Sequence, residues 1–70
     1  MSTRKLPHSI KALRKEKGWS QDQLSKKASI PFSTLVKIES GYTPNPSIET
    51  IIKIADAFGV ALDKLMGRNL

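Results

Sequence analysis

The chain has 70 residues, with twelve Lys/Arg against six Asp/Glu, a formal charge of +6 and a pI near 10.0, which is room for one small domain and no second. It lacks cysteine and carries one histidine, His8, so disulfide frameworks, thiolate metal sites and imidazole clusters are excluded and no metal or cofactor is expected. The longest unbroken apolar run is the three residues Val60 to Leu62, too short to cross a membrane, and the charged N-terminus lacks the apolar stretch of a secretory signal; the chain reads as cytoplasmic.

Leu6, Ile10 and Leu13 stand at i, i+4 and i+7, an apolar stripe at helical spacing. The Pro7 region or Ser9 opens this first helix and Gly18 ends it. His8 is expected in solvent. Ser20 suits the N-cap of a second helix, with Gln23 at the capping-box position and Trp19 before it, where a hydrophobic staple belongs. That helix turns Leu24 and Ala28 inward and Lys26 and Lys27 outward. It is short, because Pro31 disfavours helical geometry at Ile30. Pro31 fits the first residues of a third helix, which runs to about Ser40 and stops at Gly41.

The loop from Tyr42 to Pro46 holds Pro44 and Pro46 and is therefore stiff. Ser47 caps a fourth helix whose buried side is expected from Ile48, Ile51, Ile52, Ala55 and Phe58. Gly59 ends it. Leu62, Leu65 and Met66 mark a short fifth helix that ends at Gly67. No repeat and no strand-like alternation occurs. Five short helices around one core make the fold class all-α.

The charge is uneven. Residues 1–37 carry nine Lys/Arg and two acids, a net of +7, while residues 38–70 carry three Lys/Arg and four acids, a net of −1. A basic half beside a near-neutral half points either to a face for a polyanion or to an ordinary solvated surface. On the third helix, at about 100° per residue, Leu35, Ile38 and Glu39 share one arc. Phe32, Ser33, Val36, Lys37 and Ser40 share the opposite one. Lysine, hydroxyls and apolar groups together suit base edges and thymine methyls in a major groove. Phe32 either reads there or folds back to complete the core.

Only the short link Ser29-Ile30-Pro31 separates helices two and three, so they form a helix-turn-helix. The stretch from Trp19 to Glu39, WSQDQLSKKASIPFSTLVKIE, followed by SGYTPNPSIETIIKIADAFGVALDKLM, resembles the phage-repressor and Cro type of helix-turn-helix, also called the xenobiotic-response-element type. The resemblance runs from about Ser9 to Met66 and rests on an ordered set: Gln21, Leu24, the IESG that closes helix three, the proline after it, and IADAFGV. It implies a compact, lambda-repressor-like domain over residues 9–67, with a basic N-terminal arm at 1–8 and a tail at 68–70. Three positions depart from the family's usual residues: Ser25 stands for alanine, Ser29 for the glycine of the turn, and Ala61 for the serine that caps the last helix. A left-handed backbone costs a non-glycine residue about 1 kcal/mol, so strain is expected at Ser29.

By position, the family's base readers correspond to Phe32, Ser33 and Lys37. The resemblance places Gln21, at the start of helix two, on a phosphate while it buttresses helix three. Its loop contacts to the DNA backbone correspond to Ser40, Tyr42, Thr43 and Asn45. That loop is neutral here, where the family is often basic. Counterion release is therefore expected from Lys37, the lysines of the first two helices and the Arg4/Lys5 arm. The resemblance also brings Arg14 and Glu39 into contact; the alternative is two surface charges worth well under about 1 kcal/mol.

The expected function is sequence-specific binding of double-stranded DNA by a prokaryotic or phage repressor or autoregulator, nucleoid-associated when bound. It acts as a homodimer on a palindrome, with Leu62, Leu65 and Met66 as a dimer surface or as closure of the core. With no second domain expected, regulation comes through concentration, dimerisation or another protein. The alternative is an antitoxin bound to a toxin, against which the short tail argues. An enzyme is not expected: no nucleophile–base pair, metal cluster or glycine-rich phosphate loop is present.

Overall fold

Short side-chain oxygens and left-handed turns set the helix boundaries. The computed structural model describes residues 5–42 and 46–66. Among these the chain forms α1 (Leu6–Lys17), α2 (Gln21–Ala28), α3 (Phe32–Glu39), α4 (Ile48–Phe58) and α5 (Leu62–Leu65), and no strand. Ser20 Oγ accepts the Gln23 amide at 3.1 Å while Gln23 Oε1 accepts the Ser20 amide at 2.8 Å, a complete capping box at the start of α2. Ser47 Oγ accepts the Thr50 amide at 3.2 Å and starts α4. Ala61 offers α5 no such oxygen, and α5 is a single turn. Pro7 lies in the first turn of α1, where its missing N–H is not needed. α1 thus begins at Leu6 and takes in three residues of the stretch expected as an arm.

Three helices end in one motif. The amides of Gly18, Ser29 and Gly59 bond back to Lys15, Lys26 and Asp56, and the next amides, of Trp19, Ile30 and Val60, reach Arg14, Ser25 and Ala55. Each turn needs one left-handed residue and sends the following apolar side chain onto the core. Two of the three are glycines, at φ 72° and 70°. The third is Ser29, at φ 56°, the one described non-glycine residue with positive φ. It sits in the turn between α2 and α3, where the sequence places the strain.

α1 packs on α3 and α5, α2 on α3 and α4, and α4 on α5. The core between them comprises Leu6, Ile10, Leu13, Leu24, Ala28, Ile30, Leu35, Ile38, Ile51, Ile54, Ala55, Phe58, Leu65 and Met66. Trp19 lies at its edge, its ring stacked on Phe58 at 5.5 Å and 7°. Lys27 Nζ stands 4.9 Å and Lys17 Nζ 5.8 Å from the indole centroid.

One apolar expectation is corrected, and one of two alternatives for the last helix is favoured. Ile48 and Ile52 are 60% and 45% exposed, and Ile54 is buried instead. Ile54, Phe58, Ile51 and Ala55 span an arc of about 100° on α4, and Ile48 and Ile52 fall just past its edge. Leu65 and Met66 do not form an exposed dimer surface: both are buried in this chain's own core, and Leu62 is partly buried against it. A single-turn helix has no second face to offer once its apolar side closes the domain.

Ser29→Gly should stabilise the domain by up to about 0.5 kcal/mol, since relief of about 1 kcal/mol of left-handed strain is largely offset by the added freedom of the unfolded chain. Urea unfolding followed by helical ellipticity checks this; a lower midpoint would contradict the strain assigned to Ser29.

Candidate nucleic-acid interface

The site is built around α3. Of its residues, Leu35, Ile38 and Glu39 are buried, whereas Phe32, Ser33 and Lys37 are exposed and Val36 is half-buried. The helical period thus gives α3 one side held by the domain and one side open. Phe32 is 49% exposed and stands outside the core, so it does not fold back to complete it.

The held side centres on a buried charge. Glu39 is 2% exposed. Arg14 donates Nε to Glu39 Oε2 at 3.0 Å and Nη2 to Glu39 Oε1 at 3.1 Å, a two-pronged pair joining α1 to α3. Its remaining Nη1 donates to the carbonyl of Trp19 at 3.0 Å. Gln21 Nε2, from the first turn of α2, donates to Glu39 Oε1 at 3.2 Å. Arg14 and Glu39 are therefore in contact, and Gln21 buttresses α3 through the same carboxylate. Every buried side-chain N or O among the described residues has a partner, which a charge removed from water requires.

The neighbouring polar residues divide by what their atoms already do. Ser40 Oγ donates to the Lys37 carbonyl at 3.0 Å and accepts the Tyr42 amide at 3.3 Å. Its hydroxyl is engaged at the end of α3 and shapes this turn. Tyr42 is 78% exposed. Thr43 and Asn45, expected to touch the DNA backbone, lie outside the described residues. The buried Ser25 donates Oγ to the Asp22 carbonyl at 2.8 Å, which explains how a hydroxyl is tolerated at that inward position. Among the described residues there is no group of three or more metal-ligating side chains and no helix long and apolar enough to cross a membrane.

Comparison with known proteins bears on this architecture. The helix-turn-helix family profile matches residues 10–65. The chain belongs to the helix-turn-helix family. Within that family it is of the phage-repressor and Cro type. It is 41% identical over 57 residues to the HTH-type transcriptional regulator AnsR of Bacillus subtilis, a match covering 81% of this chain and 48% of that protein. It is 39% identical over 60 residues to the HTH-type transcriptional regulator SinR of Bacillus licheniformis, covering 86% of this chain and 54% of the relative. The immunity repressor protein of Bacillus phage phi105 is 40% identical over 60 residues, covering 86% of this chain and 41% of its own length. The chain thus spans about half the length of these relatives, which are named as regulators and not as enzymes.

Arg14→Ala leaves the Glu39 carboxylate buried with only Gln21 beside it. The expected loss is about 3–5 kcal/mol, a large share of the roughly 4–10 kcal/mol total for a domain of this size. Lys15→Ala, one residue along on the exposed side of α1, should cost under about 0.5 kcal/mol. Thermal unfolding of the two variants side by side decides it; equal losses would remove the buried pair as a determinant of stability.

Proposed function

We propose that this helix-turn-helix chain binds double-stranded DNA sequence-specifically and represses transcription, with α3 lying in the major groove. The observation that carries the reading is the division of α3: Glu39 is tied to α1 and α2, while Phe32, Ser33 and Lys37 on the other side are exposed. An open arc on a helix fixed from behind is what base-edge reading needs. Lys37 donates to guanine O6 and N7, Ser33 donates or accepts, and Phe32 meets the shape and apolar groups of the groove floor. Regulator and repressor names among the relatives support the same role.

Gln21 and Tyr42 flank the readers and serve as backbone contacts, with Thr43 and Asn45 completing the loop. Gln21 is suited to two partners at once: its Nε2 is held by Glu39, and it stands at the N-terminus of α2, where amide dipoles favour a phosphate. The net charge of +7 over residues 1–37 supplies the non-specific attraction and the counterion release. One α3 reads few base pairs, so the protein acts as a homodimer on a palindrome with half-sites about 34 Å apart. With Leu65 and Met66 in the core, that dimer forms through another surface.

Selection of binding sites from a randomised duplex pool, followed by affinity of the winner against salt, tests this. A palindrome with half-sites one helical turn apart and a steep salt slope is the expected outcome; weak salt-sensitive binding without enrichment would refute sequence reading by α3. Lys37→Ala should then cost about 1–3 kcal/mol and relax one position of the site, whereas Gln21→Ala should weaken all duplexes about equally. Competition titrations with single-base variants of the winning duplex separate the two effects.

A further inference from the structure

The open arc of α3 carries two ridges of different chemistry. Phe32 and Val36 stand one turn apart and are both apolar, while Ser33 and Lys37 stand one turn apart beside them and are both polar. Neither Phe32 nor Val36 belongs to the buried core. A phenyl ring left 49% exposed at the first residue of a reading helix offers no hydrogen bond to any base. The only apolar group on the floor of the major groove is the C5-methyl of a pyrimidine. The four residues from Phe32 to Val36 advance about 6 Å along the helix, close to two base-pair steps of about 3.4 Å each.

Resting on the reading of α3 as the DNA-contacting helix, we infer that Phe32 and Val36 form a methyl-reading ridge that takes thymine C5-methyl groups about two base pairs apart in each half-site. The adjacent Ser33–Lys37 ridge faces the hydrogen-bonding edges, so apolar and polar readout run side by side along one helix. Val36 thereby joins the residues that determine specificity. Any C5-methylpyrimidine meets the ridge in the same way, and a methylated cytosine shares this chemistry with thymine.

The test uses the duplex enriched from the random pool. Each thymine of a half-site is replaced singly by deoxyuridine, which deletes the methyl and leaves every hydrogen-bonding group in place. Affinity should fall about fourfold at each of two positions some two steps apart, the factor expected for one buried methyl group. At those positions a cytosine should bind more tightly by a similar factor once it carries a C5-methyl. A loss with uracil and no gain with 5-methylcytosine overturns the extension to methylated cytosine and keeps the thymine contact. Phe32→Ala and Val36→Ser, checked for unchanged helical ellipticity, should each reduce the thymine–uracil difference at one position and leave the other. An enriched duplex that binds equally well with uracil throughout overturns the methyl ridge alone. Absence of any enriched duplex overturns the reading of α3 itself, and the ridge with it.

Discussion

The geometry of this domain depends on one carboxylate. Glu39 ends α3, where the helix macrodipole already concentrates negative charge, and it is buried, so alone it would be unfavourable twice over. Arg14 reverses that balance. Its planar fork satisfies both oxygens and its third nitrogen reaches the Trp19 carbonyl, something a lysine at the same place could not match. Gln21 adds a neutral donor from α2. One buried charge thereby ties α1, the α1–α2 link, α2 and α3 together. The helix-turn-helix is then oriented by directional bonds as well as by apolar packing, which specifies angles less sharply.

The rest of the packing answers to the same junction. Trp19, whose carbonyl Arg14 holds, stacks on Phe58 of α4 and lies under two lysines. The fourth helix is thus joined to the junction through an aromatic contact. The left-handed turns at Gly18, Ser29 and Gly59 deliver Trp19, Ile30 and Val60 to the core or its edge. Each helix end supplies both a chain reversal and an apolar contact, which suits a chain with little interior to spare.

Local chemistry was the most legible part of the sequence. Ser20 with Gln23, Ser47, Gly18 and Gly59 act within a few residues of themselves, so their roles do not wait on the tertiary fold. The open and held sides of α3 were legible for a related reason: eight residues with a sharp contrast between Ile38 and Lys37 leave little doubt about which side is inward. The buried arc of α4 is less legible because Ile48, Ile51, Ile52, Ala55 and Phe58 spread wider than the arc that α2 and α5 cover, and periodicity alone does not say which edge is cut off. Ile48 and Ile52 fell on the wrong side of that edge. The carbonyl of Trp19 as an acceptor for Arg14 carried no sequence signal, because every residue has a carbonyl and only the assembled chain aims one. Ser40 shows the converse: a hydroxyl suited to a phosphate also bonds its own helix end.

The separation between what holds α3 and what α3 presents has a bearing on how such a chain can change. Phe32, Ser33 and Lys37 lie outside both the core and the Glu39 junction. Substitutions there leave the scaffold's internal contacts as they were, so new partners can be explored without first restoring a damaged fold. Arg14 and Glu39 have no such latitude, because altering either strands the other's charge. With α3 as the proposed reading helix, a lineage of these proteins can diversify in what it recognises while its architecture stays fixed, through a handful of codons on a single helix.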